Sequence, residues 1–91
     1  MPHISISKTT ANDAIDARSN DLIALSQDVW NHPESGFREH RTAKLVAEFM
    51  KKIGLEPREH MAISGVIARI DTGRPGPHVA IFGELDSLVV P

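Results

Sequence analysis

His78-Val79-Ala80-Ile81-Phe82-Gly83-Glu84-Leu85-Asp86 is the stretch whose reading decides the fold. From Val79 to Phe82 both alternating faces are apolar, the pattern of an interior strand covered by helices on each side. Upstream, Thr72-Gly73-Arg74-Pro75-Gly76-Pro77 is dense in turn formers and joins this run to Gly65-Val66-Ile67-Ala68-Arg69-Ile70-Asp71. That segment places Val66, Ala68 and Ile70 on one side and reads as a second strand. Earlier still, Leu55 to Met61 reads as a short strand, and Pro57 within it assigns an edge or early position because proline cannot donate to a ladder.

Before Gly54 the period changes from two to about 3.6. Leu45, Val46, Phe49, Met50 and Ile53 fall on one face of a helix predicted from Arg38 to Ile53, with Thr42 extending the face. Glu39 suits its positive N-terminal end, Lys51 and Lys52 its negative end, Glu48 can pair with Lys52, and Gly54 stands at the C′ position. An earlier helix is predicted from Asn12 to Asn31, with a stripe of Ile15, Leu22, Leu25 and Val29, and His32-Pro33 ends it. The expected fold class is therefore α/β, two helices followed by three strands. Residues 1–11 read as a flexible N-terminus and residues 12–91 as part of one domain, incomplete because nothing covers the other face of the last strand.

Composition narrows the function. The 91 residues are 41% hydrophobic and 24% charged, with ten Lys and Arg against twelve Asp and Glu, so no basic stripe offers itself to phosphates. Only Trp30, Phe37, Phe49 and Phe82 are aromatic, which leaves no stacking platform for single strands. Nucleic acid is excluded as the expected partner. The chain has no cysteine, hence neither a disulfide scaffold nor a cysteine nucleophile. The apolar runs are far shorter than the roughly 20 residues a membrane helix needs, and the first residues do not form a signal peptide. A cytoplasmic protein with no membrane partner is expected.

Among chemistry-bearing residues, Glu84 and Asp86 stand out. They follow an apolar strand directly, and a spacing of two in extended chain aims both carboxylates to one face. Beyond the carboxyl ends of strands is where open α/β sheets build their sites. The competing reading is that two acids simply mark where a strand meets solvent. The histidines His3, His32, His40, His60 and His78 have no second ligand at a metal spacing, so no metal site is assigned within the chain. Asn31 to Thr42 has the residue types of a proline-ended helix, a glycine turn and a new helix start, which need no chemistry. Arg74 sits alone in its loop and reads as solvated.

Five segments together carry a resemblance. His32-Pro33-Glu34, then Gly36-Phe37-x-Glu39-His40-x-Thr42, then Ile53-Gly54-Leu55-Glu56, then Gly73-Arg74-Pro75-Gly76-Pro77, then Gly83-Glu84-Leu85-Asp86-Ser87-Leu88 resemble the start of an amidohydrolase-type metallopeptidase family. That family holds aminoacylases, glutamate carboxypeptidases and hydrolases of indoleacetyl-amino acids and p-aminobenzoyl-glutamate. The resemblance runs from about Asp21 to Pro91. It implies that residues 12–91 are the N-terminal part of a metallopeptidase catalytic domain, the start of a zinc-exopeptidase-like αβα sandwich. The parent protein would use two divalent metal ions, zinc or manganese, to cleave the amide bond of an N-acyl amino acid or dipeptide-like substrate. It also implies a homodimer for the parent. Asp86 matches the family's orienting aspartate, and Glu84 stands where many members have a metal-binding histidine. The remaining ligands and the base glutamate are expected beyond Pro91, so the chain alone is expected to hold no metal stably and to be inactive. The alternative is a non-catalytic interaction module that docks through the exposed strand Val79 to Phe82.

Overall fold

In the computed structural model, which describes residues 8–88, the clearest element is also the best-predicted one. The helix α3, His40–Lys52, follows α1, Lys8–Ala17, and α2, Ser19–Asn31. Its C-terminus is a Schellman motif: the Leu55 amide donates to the Met50 carbonyl at 2.9 Å and the Gly54 amide to the Lys51 carbonyl at 3.0 Å. Gly54 takes φ +92° there, a left-handed position that an ordinary side chain resists. Lys51 and Lys52 lie in that last turn, where the exposed carbonyls favour positive charge.

The long helix predicted from Asn12 to Asn31 is two helices. It begins at Lys8 and breaks at Arg18, whose amide reaches back three residues to the Ile15 carbonyl at 3.0 Å. Ser19-Asn20-Asp21 explains the break, since short polar side chains compete with the helical ladder and favour a new helix start. The end at Asn31, before His32-Pro33, is as predicted. Neither helix buries a residue: Ile15 and Ile23 are half exposed or more. Contacts divide the chain into the units Met1–Asn31 and His32–Pro91. Among the described residues, no helix is long and apolar enough to cross a membrane.

In the second unit, β1, Arg58–Met61, pairs antiparallel with β2, Gly65–Ile67, and α3 packs against both strands. The register runs from Met61↔Gly65 to Arg58↔Ile67, so β1 carries one extra residue. His60, at φ +58°, supplies the bulge, with histidine among the side chains that tolerate the left-handed region. The loop Ala62-Ile63-Ser64 closes the hairpin with Ala62 at φ +48° and Ile63 at φ +79°. Both strands are shorter than the sequence pattern predicts, and the chain is a mixed helix-and-strand fold with a two-stranded sheet.

The third expected strand is the main correction. Residues 78–83 form no strand, and Val79, Ile81 and Phe82 are 83%, 96% and 92% exposed. Alternating apolar faces record an environment the segment is suited to, but a strand needs a neighbour to take its backbone hydrogen bonds. Among the described residues none lies alongside, so the αβα sandwich is not formed by this part of the chain.

The face of α3 also differs in detail from the prediction. Its buried residues are Thr42, Ala43 and Ala47, while Leu45, Val46, Phe49 and Met50 are half-buried and Ile53 is exposed. Small residues let helix and hairpin approach closely, and the larger side chains flank the contact. Phe49→Ala is accordingly expected to cost about 1 to 2 kcal/mol in urea unfolding, less than the roughly 3 to 5 kcal/mol of a fully buried ring. Unchanged stability would show that the Phe49 ring packs on nothing.

Candidate functional site

Pro33 and the Ser35-Gly36-Phe37-Arg38 turn set the site's local geometry. The Arg38 amide donates to the Ser35 carbonyl at 3.0 Å, and Phe37 takes φ +60°, a conformation bulky side chains rarely adopt. The turn carries the chain back so that Glu34 lies over the start of α3. There its carboxylate meets the orphan donors of the first turn: the Arg41 amide reaches Oε2 at 3.2 Å and the Thr42 amide Oε1 at 2.6 Å. The Thr42 hydroxyl donates to Oε1 at 2.7 Å.

Glu34 thus performs the capping role that a residue at the N-cap ordinarily performs. Glu39, which occupies the N-cap position, makes no side-chain cap bond. Its buried carboxylate instead accepts the Ser64 hydroxyl at 2.8 Å, fastening the hairpin loop to the start of α3. The two acids have exchanged the roles that position alone predicts.

Burial by itself raises the Glu34 pKa, but the Thr42 hydroxyl, the amides of Thr42 and Arg41 and the nearby His40 outweigh it and hold the group below its ordinary value of 4.5. A lowered folded-state pKa means that Glu34 stabilises the fold above the unfolded-state value and that this contribution is lost as pH falls through the folded-state value. Glu34→Gln is therefore expected to be destabilised near neutral pH by about 1 kcal/mol, with the gap to the native protein closing as pH falls below the ordinary carboxylate range. Urea midpoints of both proteins across that range check it. A gap independent of pH would show that ionisation contributes nothing.

The Glu34 backbone has a partner of its own. The Ser87 amide donates to the Glu34 carbonyl at 2.8 Å, with the Ser87 hydroxyl at 3.5 Å from the same oxygen. One residue earlier, Asp86 Oδ2 lies 4.0 Å from where a methyl on Gly36 would stand. Two motifs half a chain apart, the Pro-Glu-x-Gly turn and the Glu-x-Asp-Ser segment, therefore meet.

Of the residues singled out from sequence, Glu84 and Asp86 are both exposed and lie in a segment without regular structure, so a strand's alternation does not fix their directions. His40 and His60 line one cleft of about 340 Å³ with Ala43, Lys44, Glu59 and Ser64. That cleft lies between α3 and the hairpin, and neither Glu84 nor Asp86 lines it. The Glu59 carboxylate is also 3.9 Å from the exposed Lys51 ammonium, which does not line the cleft. His78 and Arg74 are exposed in the connecting loop, and His3 lies outside the described residues. Glu34 was missed as a site residue because its partners, Thr42 and Ser87, lie 8 and 53 positions away. The available signal was a glutamate after proline in a turn ahead of a helix whose own N-cap is a poor capper.

Comparison with known proteins adds a second line of evidence. The chain is 33% identical over 70 residues to thermostable carboxypeptidase 1 of Saccharolobus solfataricus, covering 76% of this chain and 18% of that protein. It is 35% identical over 69 residues to IAA-amino acid hydrolase ILR1-like 2 of Arabidopsis thaliana, covering 76% and 16%. It is 32% identical over 76 residues to the N-acyl-L-amino acid amidohydrolase of Geobacillus stearothermophilus, covering 84% and 20%. The chain therefore spans about a fifth of the length of the curated relatives it matches. No protein-family model and no solved structure matches it.

Proposed function

Because the chain belongs to the amidohydrolase-type peptidase family, we propose that the full-length protein hydrolyses the amide bond of N-acyl amino acids or dipeptide-like substrates. The observation that supports this most is the similarity to proteins named as hydrolases of IAA-amino acids, N-acyl-L-amino acids and hippurate, all N-acylated amino acids. A cytoplasmic location and a homodimeric parent belong to the same proposal. So does the inactivity of the 91-residue chain by itself.

In this reading Asp86 is an orienting carboxylate. Held beside the Gly36 turn, it accepts a hydrogen bond from a donor group of the catalytic site and fixes that group's direction. Glu84, two residues earlier and exposed, stands at the mouth of the same site. The two divalent ions, zinc or manganese, that the resemblance implies do not fit the described residues alone. Among these, no group of three or more His, Asp or Glu side chains can hold an ion, so no step is assigned to a metal.

Release of free amino acid from N-benzoylglycine and from N-acetyl amino acids by the purified full-length protein tests the activity. No turnover on any of them would overturn it. Asp86→Asn is expected to lower kcat/KM by about 10- to 100-fold with an unchanged circular dichroism spectrum, and Glu84→Gln to cost less. Native activity in Asp86→Asn would return the pair to acids that merely meet solvent.

The exposure of Val79, Ile81 and Phe82 favours a second reading, a non-catalytic module that pairs this segment with a partner's sheet edge. The coding sequence separates the two. A reading frame that continues past Pro91 supports the hydrolase, and a stop codon there supports the module.

A further inference from the structure

The contacts of Glu34 reach beyond helix capping. Its carboxylate is fixed at both oxygens by the first turn of α3, and its carbonyl is held by the Ser87 amide. A residue tied at its side chain has little freedom to turn its backbone, so the carbonyl keeps one direction. The Ser87 amide follows that direction, and Asp86 is the residue covalently joined to it. We propose that Glu34 is a positioning residue for Asp86: Thr42 fixes the Glu34 carboxylate, the fixed Glu34 aims its carbonyl at Ser87, and the Ser87 amide so bound fixes the backbone that carries the Asp86 carboxylate. The inference rests on the orienting role given to Asp86 above.

The geometry separates this role from plain capping. A cap stabilises the donors of the first turn of α3 and has no effect on a segment 53 residues away. A positioning residue transmits to that segment as well. Glu34 has the connections for both, and the second does not require Glu34 to touch substrate.

Hydrogen exchange read by mass spectrometry, on peptides covering Arg41–Ala43 and Leu85–Leu88 of the full-length protein, tests the proposal. It is combined with kcat and KM for N-benzoylglycine in Thr42→Val, Thr42→Ser and Glu34→Gln. Thr42→Val removes only the hydroxyl that anchors the carboxylate, so the protein is expected to fold even where Glu34→Gln does not. Thr42→Val is expected to speed exchange in both peptides and to lower kcat by about 10-fold with KM little changed, and Thr42→Ser, which keeps the hydroxyl, to restore both readouts. Faster exchange in the α3 peptide alone, with native kcat, would overturn the proposal and leave Glu34 a helix cap. A native protein that cleaves no N-acyl amino acid would refute the proposed activity instead. The exchange of the Leu85–Leu88 peptide would then decide the role of Glu34 by itself.

Discussion

Ser64→Ala is expected to destabilise the second unit by about 1.5 to 3 kcal/mol, the range for a buried hydrogen bond to a charged group. Glu39 is 9% exposed and Ser64, whose hydroxyl donates to its carboxylate, 5% exposed. Removing the hydroxyl leaves a desolvated carboxylate without that donor, which costs more than the bond contributes net. The double variant Glu39→Leu with Ser64→Ala replaces both partners by apolar groups and is expected to recover much of the loss. Urea unfolding of the native protein, both single variants and the double variant closes the cycle. A Ser64→Ala protein as stable as the native one would mean that water or another donor reaches Glu39, and the hairpin would then be held to α3 by apolar contact and the Lys51–Glu59 pair.

How much of this was legible in the sequence depends on how local each cause is. The C-terminus of α3 was readable because Gly54 and the lysines before it act within one turn, and the Schellman bonds form among neighbours. The end of α2 was readable for the same reason, proline acting on the residue before it. The break at Arg18 was readable too, in Ser19-Asn20-Asp21, but the spacing of Ile15, Leu22 and Val29 carries through it and favours one long helix. Periodicity records which side chains share a face, and it is blind to a one-residue interruption that keeps the face in register.

The non-local features were hidden. Glu39 looked like the acid that suits a helix start, and only the folded chain shows it turned to Ser64, 25 positions on, with Glu34 taking its place. The meeting of Glu34 with Ser87 likewise depends on a path through α3 and the hairpin that no short pattern encodes. Residues 78–83 show the converse. Their apolar pattern leads to the expectation of a covered strand, yet it says nothing about which atoms would cover it, and Val79, Ile81 and Phe82 stand exposed. The candidate site was thus legible as two motifs, and their juxtaposition was not.

Gly65→Ala is expected to be among the most damaging single-methyl changes in the second unit. A Cβ on Gly65 would stand 2.5 Å from the Met61 carbonyl oxygen and 3.5 Å from the Met61 carbonyl carbon. Both are backbone atoms of the paired strand, so no side chain can swing away to make room. The Met61↔Gly65 pair must open, at an expected cost of about 2 to 3 kcal/mol. Gly76→Ala is the control, since nothing lies within 4 Å of its added methyl and its φ is not left-handed. Chain-entropy loss in the unfolded state is expected to leave that variant as stable as the native protein or up to about 1 kcal/mol more so. The damage at Gly65 should also spread along a defined route. Ser64 is its neighbour, and displacing the loop separates the Ser64 hydroxyl from Glu39, which loosens the start of α3 where Glu34 is seated. Gly65→Ala combined with Ser64→Ala should therefore cost clearly less than the sum of the two, because the first change already breaks the bond that the second removes. Urea midpoints for the four proteins decide it. Strict additivity would show that the hairpin loop and the helix start are not coupled through Ser64.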